Sequence, residues 1–209
     1  KKKFFSKSDI KRMKDKEYIS DLCYTIDNGI KDFKQPDIDE FYENNEKMTI
    51  KKLKSLKARI KKQIQIIEKI FQHGSPKNTR FYNKHDFYTL FTIVIDLIDG
   101  KYILDEKHYK SIYNSLEKIT VLATEDSNSK LGMQYHIHVT NRQSQKKARL
   151  ERKKILWDLI EPIIKDKKDD DRCFSKTQRN FMWCLSEDKE CGICSKVVKE
   201  GDYHLDYII

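Results

Sequence analysis

A chain of 209 residues has room for one sizeable domain and a small appended module, which is the arrangement we expect here. Its 43 lysines and arginines against 33 acidic residues give a net charge of +10, which disfavours acidic small molecules and favours polyanions, nucleic acid ahead of an anionic membrane. Five cysteines, without a signal peptide or an apolar run of about 18 residues, exclude a disulfide framework and a membrane span and indicate a reducing, cytoplasmic compartment.

The chain has 6 glycines and 3 prolines, too few for the turns of a β-sandwich or barrel, so we predict a mainly α fold built as a helical bundle. Residues 9–29 form the first predicted helix, with a break near Lys14 and an end at Asn28 and Gly29. Residues 48–71 show the clearest amphipathic pattern, with apolar side chains three and four apart on one face and lysines on the other.

The apolar stretch 86–99 predicts a central buried helix that ends at Gly100, with a buried strand as the weaker alternative. Residues 105–122 repeat apolar side chains at helical spacing and predict another helix, followed by a polar loop at 125–130. A long basic helix is expected over 142–164, polar in its first half and apolar in its second.

The charged run KDKKDDDR at 165–172 is the strongest break in composition and sets the predicted domain boundary. We therefore predict a helical domain over 1–165 and a second module over 166–209. That module begins with a short helix at 176–185 and continues as a zinc knuckle and a β-hairpin that turns at 200–202.

The motif CGIC at 191–194 is the strongest local signal for chemistry. A C-x₂-C spacing lets two thiolates reach one tetrahedral ion, so we predict a structural zinc at Cys191 and Cys194. A redox role is disfavoured because no βαβ pattern precedes the motif. The remaining ligands come from Cys184 or His204 or, more simply, from a second pair further along the full protein, so the ligand set stays open.

Residues 172–209 resemble the opening of an HNH nuclease domain, through an R-x-F-x-x-x-Q-R helix, the C-x-x-C knuckle, a short hairpin and an aspartate. The resemblance implies that Asp206 is a ligand of magnesium or another divalent metal in a ββα-metal module that is incomplete here. It also implies DNA cleavage by the complete domain, in which a histidine after the aspartate activates water for phosphodiester hydrolysis.

The chain departs from this pattern at the position of the general base. Tyr207 follows Asp206 where the family has histidine, and a phenol, with a pKa of about 10, is a poor base at neutral pH. His204 would project from the same strand face as Asp206 and opposite Tyr207, so it is not an obvious substitute. We expect this chain alone to be inactive and the full-length protein to be an HNH endonuclease.

A second resemblance covers residues 9–165 and is carried mostly by packing and turn residues. The segments RMKDKEY, DNGI, IDEFY, TRF and KHDFY are similar to the helical half of the GmrSD-like restriction and antiphage-defence family. Members commonly start with a ParB-like nucleotide-hydrolysing domain and end in an HNH domain. The resemblance implies a prokaryotic DNA restriction or phage-defence protein, with a ParB-like domain in the full-length protein that is missing from this sequence.

Basic residues on two predicted helices are the candidate DNA-binding set, because Lys and Arg contact phosphates without reading sequence. The set consists of Lys51, Lys54, Lys57, Arg59, Lys61, Lys62, Lys146, Lys147 and Arg149. A solvated helix face is the commoner explanation of such a stripe. His136 and His138 would share one side of a strand and offer metal ligands, but without neighbouring carboxylates or cysteines polar packing is the better interpretation.

Two other functions stay open on the residues alone. The main alternative to DNA binding is a non-enzymatic interaction module that docks a partner subunit or forms a homo-oligomer, with a purely structural zinc knuckle. The third is a ribonuclease or RNA-binding protein, because nothing in the residues separates RNA from DNA as the polyanion.

Overall fold

The computed structural model describes residues 4–32, 34–141 and 143–164, together with 183, 189, 190 and 196–199. The chain divides into two compact units, Lys1–Lys167 and Lys168–Ile209. The division falls within the charged run 165–172.

The described part of the first unit consists of eight α-helices joined by short connections, which confirms the mainly α prediction. The helices are α1 (Lys7–Lys11), α2 (Lys14–Asn28), α3 (Gln35–Asn45), α4 (Ile50–Phe71), α5 (Lys84–Asp99), α6 (Glu106–Leu122), α7 (Lys130–Thr140) and α8 (Lys146–Ile160). Short 3₁₀ helices lie at Pro76–Asn78, Arg80–Tyr82 and Glu161–Ile163. None of the helices in these ranges combines the length and apolar character that a bilayer-spanning segment requires.

Helix α5 is the centre of the first unit, as the apolar stretch 86–99 predicted. It packs against α4 on one side and α8 on another, and it also contacts α2. It ends at the predicted Gly100, whose N–H donates to the carbonyl of Asp96 at 2.8 Å. Its completely buried apolar side chains are Leu90, Phe91, Ile93 and Val94.

The first predicted helix is divided into α1 and α2 at Met13, so the predicted break near Lys14 is confirmed. Met13 has a left-handed backbone with φ of 56°, which turns the chain between the two helices. Gly29 ends α2 with φ of 74°, and its N–H donates to the carbonyl of Thr25 at 3.0 Å. Glycine suits this position because it adopts positive φ without a Cβ penalty.

Helices α4 and α6 confirm the two amphipathic predictions, and both begin at capping side chains. The Thr49 hydroxyl accepts the N–H of Lys52 at 3.3 Å, and the Asp105 carboxylate accepts the N–H of His108 at 3.0 Å. Each helix turns a stripe of apolar side chains into the core. The buried members include Leu56, Ile67 and Ile70 in α4 and Ile112, Leu116 and Ile119 in α6.

The helix boundaries and one predicted strand differ from the structure in several places. The strand considered for His136 and His138 is wrong, since both residues lie in α7 and two positions apart on a helix face different directions. The sequence pattern does not predict α3, because Ile38 is the one buried side chain that this helix contributes. The long basic helix begins at Lys146, four residues later than the predicted 142.

Few residues of the second unit are described. Glu190 and Val197 form an isolated antiparallel bridge, and the N–H of Val198 donates to the carbonyl of Lys189 at 2.7 Å. The remaining predictions for this unit lie outside the described residues. They are the helix 176–185 apart from residue 183, the turn 200–202, the zinc ligands Cys191 and Cys194, and the HNH positions Asp206 and Tyr207.

Gly132 allows α7 to approach the end of α6. A Cβ atom at this position would lie 2.1 Å from the carbonyl oxygen of Leu122, which belongs to the backbone and cannot move aside easily. We expect Gly132→Ala to lower the free energy of unfolding by about 1–3 kcal/mol in urea titrations, because the clash outweighs the better helix propensity of alanine. The control is Gln134→Ala at an exposed position of the same helix, where a change within about 0.5 kcal/mol is expected. Equal stability of the two variants would contradict the close approach.

Candidate functional site

Helix α4 carries the first group of predicted DNA-binding residues on its exposed face. Successive residues of an α-helix are rotated by about 100°, so five of the lysines fall within roughly 140° of the circumference. They form what we call the α4 lysine face: Lys51, Lys54, Lys57, Lys61 and Lys62. All five are exposed, whereas the opposite side of the helix packs into the core.

The α4 lysine face lacks internal counter-charges. None of its lysines forms an ion pair with another residue that the structure describes. The single acidic residue of α4, Glu68, lies about two turns beyond Lys62. The face therefore presents its positive charge to solvent.

Arg59 belongs to the same predicted set but has a different environment. Its guanidinium forms an ion pair with Asp27 and donates to the carbonyl of Ile26 at 2.8 Å. These contacts connect α4 to the end of α2. Arg59 is thus partly engaged in holding two helices together.

Lys146 and Lys147, the second predicted group, are exposed at the start of α8. The Asp32 carboxylate accepts the backbone N–H of Lys146, and Asp32 and Glu151 line the same surface depression as the two lysines. Two acidic neighbours offset the positive charge there. This surface is consequently less positive than the α4 lysine face.

Arg149 was predicted with the exposed cations, and the structure places it in the interior instead. Its Nη1 and Nη2 donate to Asp21 Oδ1 at 2.9 Å and Asp21 Oδ2 at 2.6 Å, and the Arg149 side chain is 6% exposed. The guanidinium carbon lies 4.1 Å from the centre of the Tyr88 ring. With its donors occupied, Arg149 serves packing between α2, α5 and α8.

Arg152 is completely buried one turn further along α8. Its Nε donates to the Thr89 hydroxyl at 3.1 Å, and its Nη1 donates to the carbonyls of His138 at 2.6 Å and Gln143 at 3.0 Å. Its Nη2 is shielded from solvent and has no hydrogen-bond partner among the described residues. All acceptors of Arg152 are therefore neutral.

Asp86 forms a third buried polar contact, at the start of α5. It is 0% exposed, accepts the Tyr135 hydroxyl at 2.9 Å, and its Oδ1 lies 3.1 Å from Nε of Arg80. The guanidinium of Arg80 also stacks on the Tyr135 ring, 4.8 Å from its centre. We call Arg80, Arg149, Arg152, Asp21 and Asp86 the arginine cluster, which contains three guanidinium groups and two carboxylates.

Burial is the largest cause of the pKa shifts of Asp21, Asp86 and Arg152. Burial raises the pKa of Asp21, and the hydrogen bonds from Arg149 oppose that shift. Burial likewise raises the pKa of Asp86, with the charge of Arg80 opposing it. Burial lowers the pKa of the Arg152 guanidinium, and the electrostatic interactions with Tyr135 and Asp86 oppose that shift.

A cleft of ≈ 210 Å³ opens beside the arginine cluster. It is lined mostly by residues of α1, α2, α3, α5 and α8, and the carboxylates of Asp9, Glu17 and Asp21 are among them. Lys84 and His85 from α5 line it together with Arg149 and Arg152. Burial, followed by the positive charges of Arg152, Arg149 and Lys84, lowers the pKa of His85 to about 4. His85 is therefore neutral at pH 7 and offers one N–H donor to the cleft.

The spacing of residues in α8 indicates the buried position of two arginines of the cluster. Arg149, Arg152, Leu156 and Ile160 are spaced three and four apart and are all buried. Charge alone assigned the arginines to the polar half of the helix. Their place in the apolar stripe indicates the interior, provided that carboxylates on other helices compensate the charge.

The two histidines considered as metal ligands do not form a metal site in the described part of the chain. His136 Nδ1 lies 3.4 Å from the carbonyl oxygen of Ala123, and the carbonyl of His138 accepts from Arg152. No group of three or more His, Cys, Asp or Glu side chains that could hold a metal ion occurs among the described residues. Polar packing, the alternative drawn from the sequence, fits these contacts.

Comparison with known proteins gives no match, either to a protein-family model, to a curated protein or to a solved structure. The sequence resemblances to HNH nucleases and to the GmrSD-like family are therefore proposals. The candidate functional features of the described residues are the α4 lysine face and the cleft beside the arginine cluster.

Removing the charge of Asp21 leaves the Arg149 guanidinium buried without a counter-ion. We expect Asp21→Asn to lower the free energy of unfolding by about 3–5 kcal/mol, measured by urea denaturation at neutral pH. The matched control is Asp27→Asn, which removes the exposed ion pair with Arg59 and is expected to change stability by less than about 1 kcal/mol. Similar losses of unfolding free energy in both variants would show that burial does not strengthen the contribution of the Asp21–Arg149 ion pair to stability.

Proposed function

We propose that this chain is part of a prokaryotic DNA restriction or phage-defence protein of GmrSD-like type, and that its helical unit binds duplex DNA through the α4 lysine face. The observation that carries DNA binding is the set of five exposed lysines on one side of α4, none of them ion-paired with a described residue. The net charge of +10 also favours a nucleic acid partner.

The α4 lysine face has the length to contact several phosphates. At about 1.5 Å per residue, α4 rises roughly 16 Å from Lys51 to Lys62. Over that distance one strand of B-DNA presents about five phosphates, at about 3.4 Å each. Lysine is a compact charge on a flexible stem, so it binds phosphates without a fixed geometry. Binding is therefore expected to be independent of DNA sequence and sensitive to salt.

DNA cleavage by an HNH domain is the proposed output of the full-length protein, with a ParB-like domain as a further part. In the second unit, Cys191 and Cys194 would bind a structural zinc, and Asp206 would bind magnesium or another divalent metal. Tyr207 leaves this chain without the family's general base, so the chain alone is proposed to be inactive. The cytoplasm is the proposed location.

Exposed apolar side chains on α6 and α7 favour a second candidate function, a non-enzymatic interaction module. Val121 is 74% exposed, Met133 47% and Ile137 44%. Met133 and Ile137 are four residues apart and share one side of α7. Such side chains suit a protein partner or a second copy of the chain, and failure of DNA binding would favour this candidate.

Neutralising two lysines of the α4 lysine face tests the DNA-binding proposal directly. We expect the double variant Lys57→Gln/Lys61→Gln to bind a duplex oligonucleotide roughly three- to tenfold more weakly at low salt, because two phosphate contacts are lost. The slope of log K against log salt should fall in magnitude by about 1.8, about 0.9 for each contact. Fluorescence anisotropy titrations at several salt concentrations measure both quantities.

The matched control has the same change in net charge on another helix. Lys110 and Lys118 are exposed on α6, so Lys110→Gln/Lys118→Gln should retain affinity and salt slope if DNA lies on α4. An equal loss of DNA affinity in the two double variants would mean that binding depends only on the net charge of the protein. Absence of binding by the unmodified chain at low salt would refute the proposal.

The proposed zinc site is tested separately. We expect elemental analysis of the full-length protein to find about one zinc per chain, lost in Cys191→Ser and Cys194→Ser, because two thiolates supply half of a tetrahedral site. Cys23→Ser is the control, since Cys23 is half-buried in α2 and is not part of the CGIC motif, so the zinc content should stay unchanged. Zinc-free protein with both motif thiols open to alkylation in the native state would contradict the site.

A further inference from the structure

We propose that residues 4–12, which include α1, form an exchangeable arm through which two copies of this chain associate. In the single chain the arm packs on its own helical unit. In the dimer each arm packs at the same site on the other copy. This association is independent of the α4 lysine face and of the proposed DNA binding.

Two adjacent phenylalanines hold the arm to the rest of the unit. The Phe4 ring lies edge-on to three other rings, at centroid distances between 5.4 and 6.1 Å. We call these three rings the aromatic site: Tyr18 of α2, Tyr82 of the second 3₁₀ helix and Phe87 of α5. Phe5 also contacts Tyr18, with 5.8 Å between the ring centroids. The docked arm therefore depends on a pair of aromatic side chains that a second copy of the chain also has.

One ion pair completes the attachment of the arm. Lys84 Nζ lies 3.1 Å from Asp9 Oδ2 and 4.8 Å from the centre of the Phe5 ring. The side chains of Lys84 and Asp9 are each 31% exposed, so this pair contributes little to stability. No residue of α1 is buried. Release of the arm consequently leaves the core around α5 in place.

The hinge between the arm and α2 is strained. Met13 has φ of 56° and ψ of 21°, a left-handed conformation in which Cβ of a residue other than glycine comes close to the following carbonyl oxygen. The Met13 side chain is 57% exposed, so its own packing does not compensate for the strain. Such a conformation persists only when surrounding contacts require it. Here the docking of Phe4 and Phe5 is the contact that requires the chain to turn.

The local sequence favours a straight hinge instead. No glycine or proline occurs between Lys7 and Asn28, and the segment KRMK at 11–14 consists of good helix-forming residues. With Met13 in the right-handed region, α1 and α2 would join into one continuous helix. Straightening removes the strain and restores the intrahelical hydrogen bonds that the turn interrupts. It also withdraws Phe4 and Phe5 from the aromatic site of their own chain.

A second copy of the chain satisfies both preferences, and for this reason we assign it as the partner. In a reciprocal dimer both hinges are straight, and the arm of each copy fills the aromatic site of the other. The contacts of the docked arm are all formed again, because the two chains have the same sequence. A partner of another sequence would have to supply two adjacent aromatic rings and a carboxylate at the same spacing. Relief of strain at two hinges opposes the entropy that association costs.

The test measures the oligomeric state of the full chain by size-exclusion chromatography with light scattering over a wide range of protein concentration. We expect a monomer at low concentration and a dimer at high concentration. Met13→Gly is the principal variant, because glycine adopts the left-handed conformation without strain and disfavours a continuous helix. We expect the Kd of its dimer to rise roughly tenfold for each hinge, about 100-fold in total.

Met13→Ala is the matched control at the same position. Alanine retains the strain of the left-handed conformation and favours the helix, so this variant should dimerise at least as tightly as the unmodified chain. Phe4→Ala/Phe5→Ala removes the side chains that dock the arm and should abolish the dimer. This variant should remain folded by circular dichroism, because neither phenylalanine belongs to the hydrophobic core. If it does not fold, the comparison of Met13→Gly with Met13→Ala decides the matter.

The exposed apolar side chains of α7 provide a control for a different interface. Met133→Gln/Ile137→Gln should leave the arm-exchanged dimer intact. A dimer that is lost in this variant but kept in Met13→Gly would overturn the proposal, because the copies would then associate through α7. An unmodified chain that stays monomeric at every concentration would also overturn it, as would equal dimer Kd values for Met13→Gly and Met13→Ala.

Discussion

The paired hydrogen bonds between Asp21 and Arg149 are the interaction on which the arrangement of the first unit depends. They join α2 to α8 across α5, where Tyr88 lies under the guanidinium and shares a 2.7 Å hydrogen bond with Thr25. Apolar packing around α5 is strong but non-directional, and it tolerates other helix orientations. A buried ion pair does not tolerate other helix orientations, because displacement of either helix would leave both charges without compensation.

The basic residues of this chain occupy two environments, the hydrated surface of α4 and the protein interior at α8. Lysines of α4 remain hydrated on the surface, where their charge acts over distances of about a Debye length and is available to a polyanion. Arginines of α8 enter the interior, which their planar, weakly hydrated guanidinium groups tolerate better than an ammonium group does. Net charge alone does not separate these settings, although only the first predicts salt-dependent binding of a large partner.

Much of the fold was predictable because helix α4 and helix α6 repeat apolar residues at helical spacing, and because Gly29 and Gly100 end helices in the usual way. Helix α3 was not predictable, since Ile38 is its one buried residue and the helix has no periodic apolar stripe. The segment around His136 alternates in polarity like a strand. In the structure this segment is part of α7, which packs closely against the carbonyl of Leu122 at Gly132 and buries Tyr135 completely.

The sequence by itself determined the class of the fold, the positions of most helices, and which face of α4 carries lysine, because these follow from periodicity within one segment. The tertiary structure alone decided that Arg149 and Arg152 are interior and that a cleft lies beside them. The partners of those arginines, Asp21 and Thr89, lie 128 and 63 residues away along the chain. No local pattern encodes such pairings, since burial of a charge is favourable only when folding brings its distant partner within hydrogen-bonding distance.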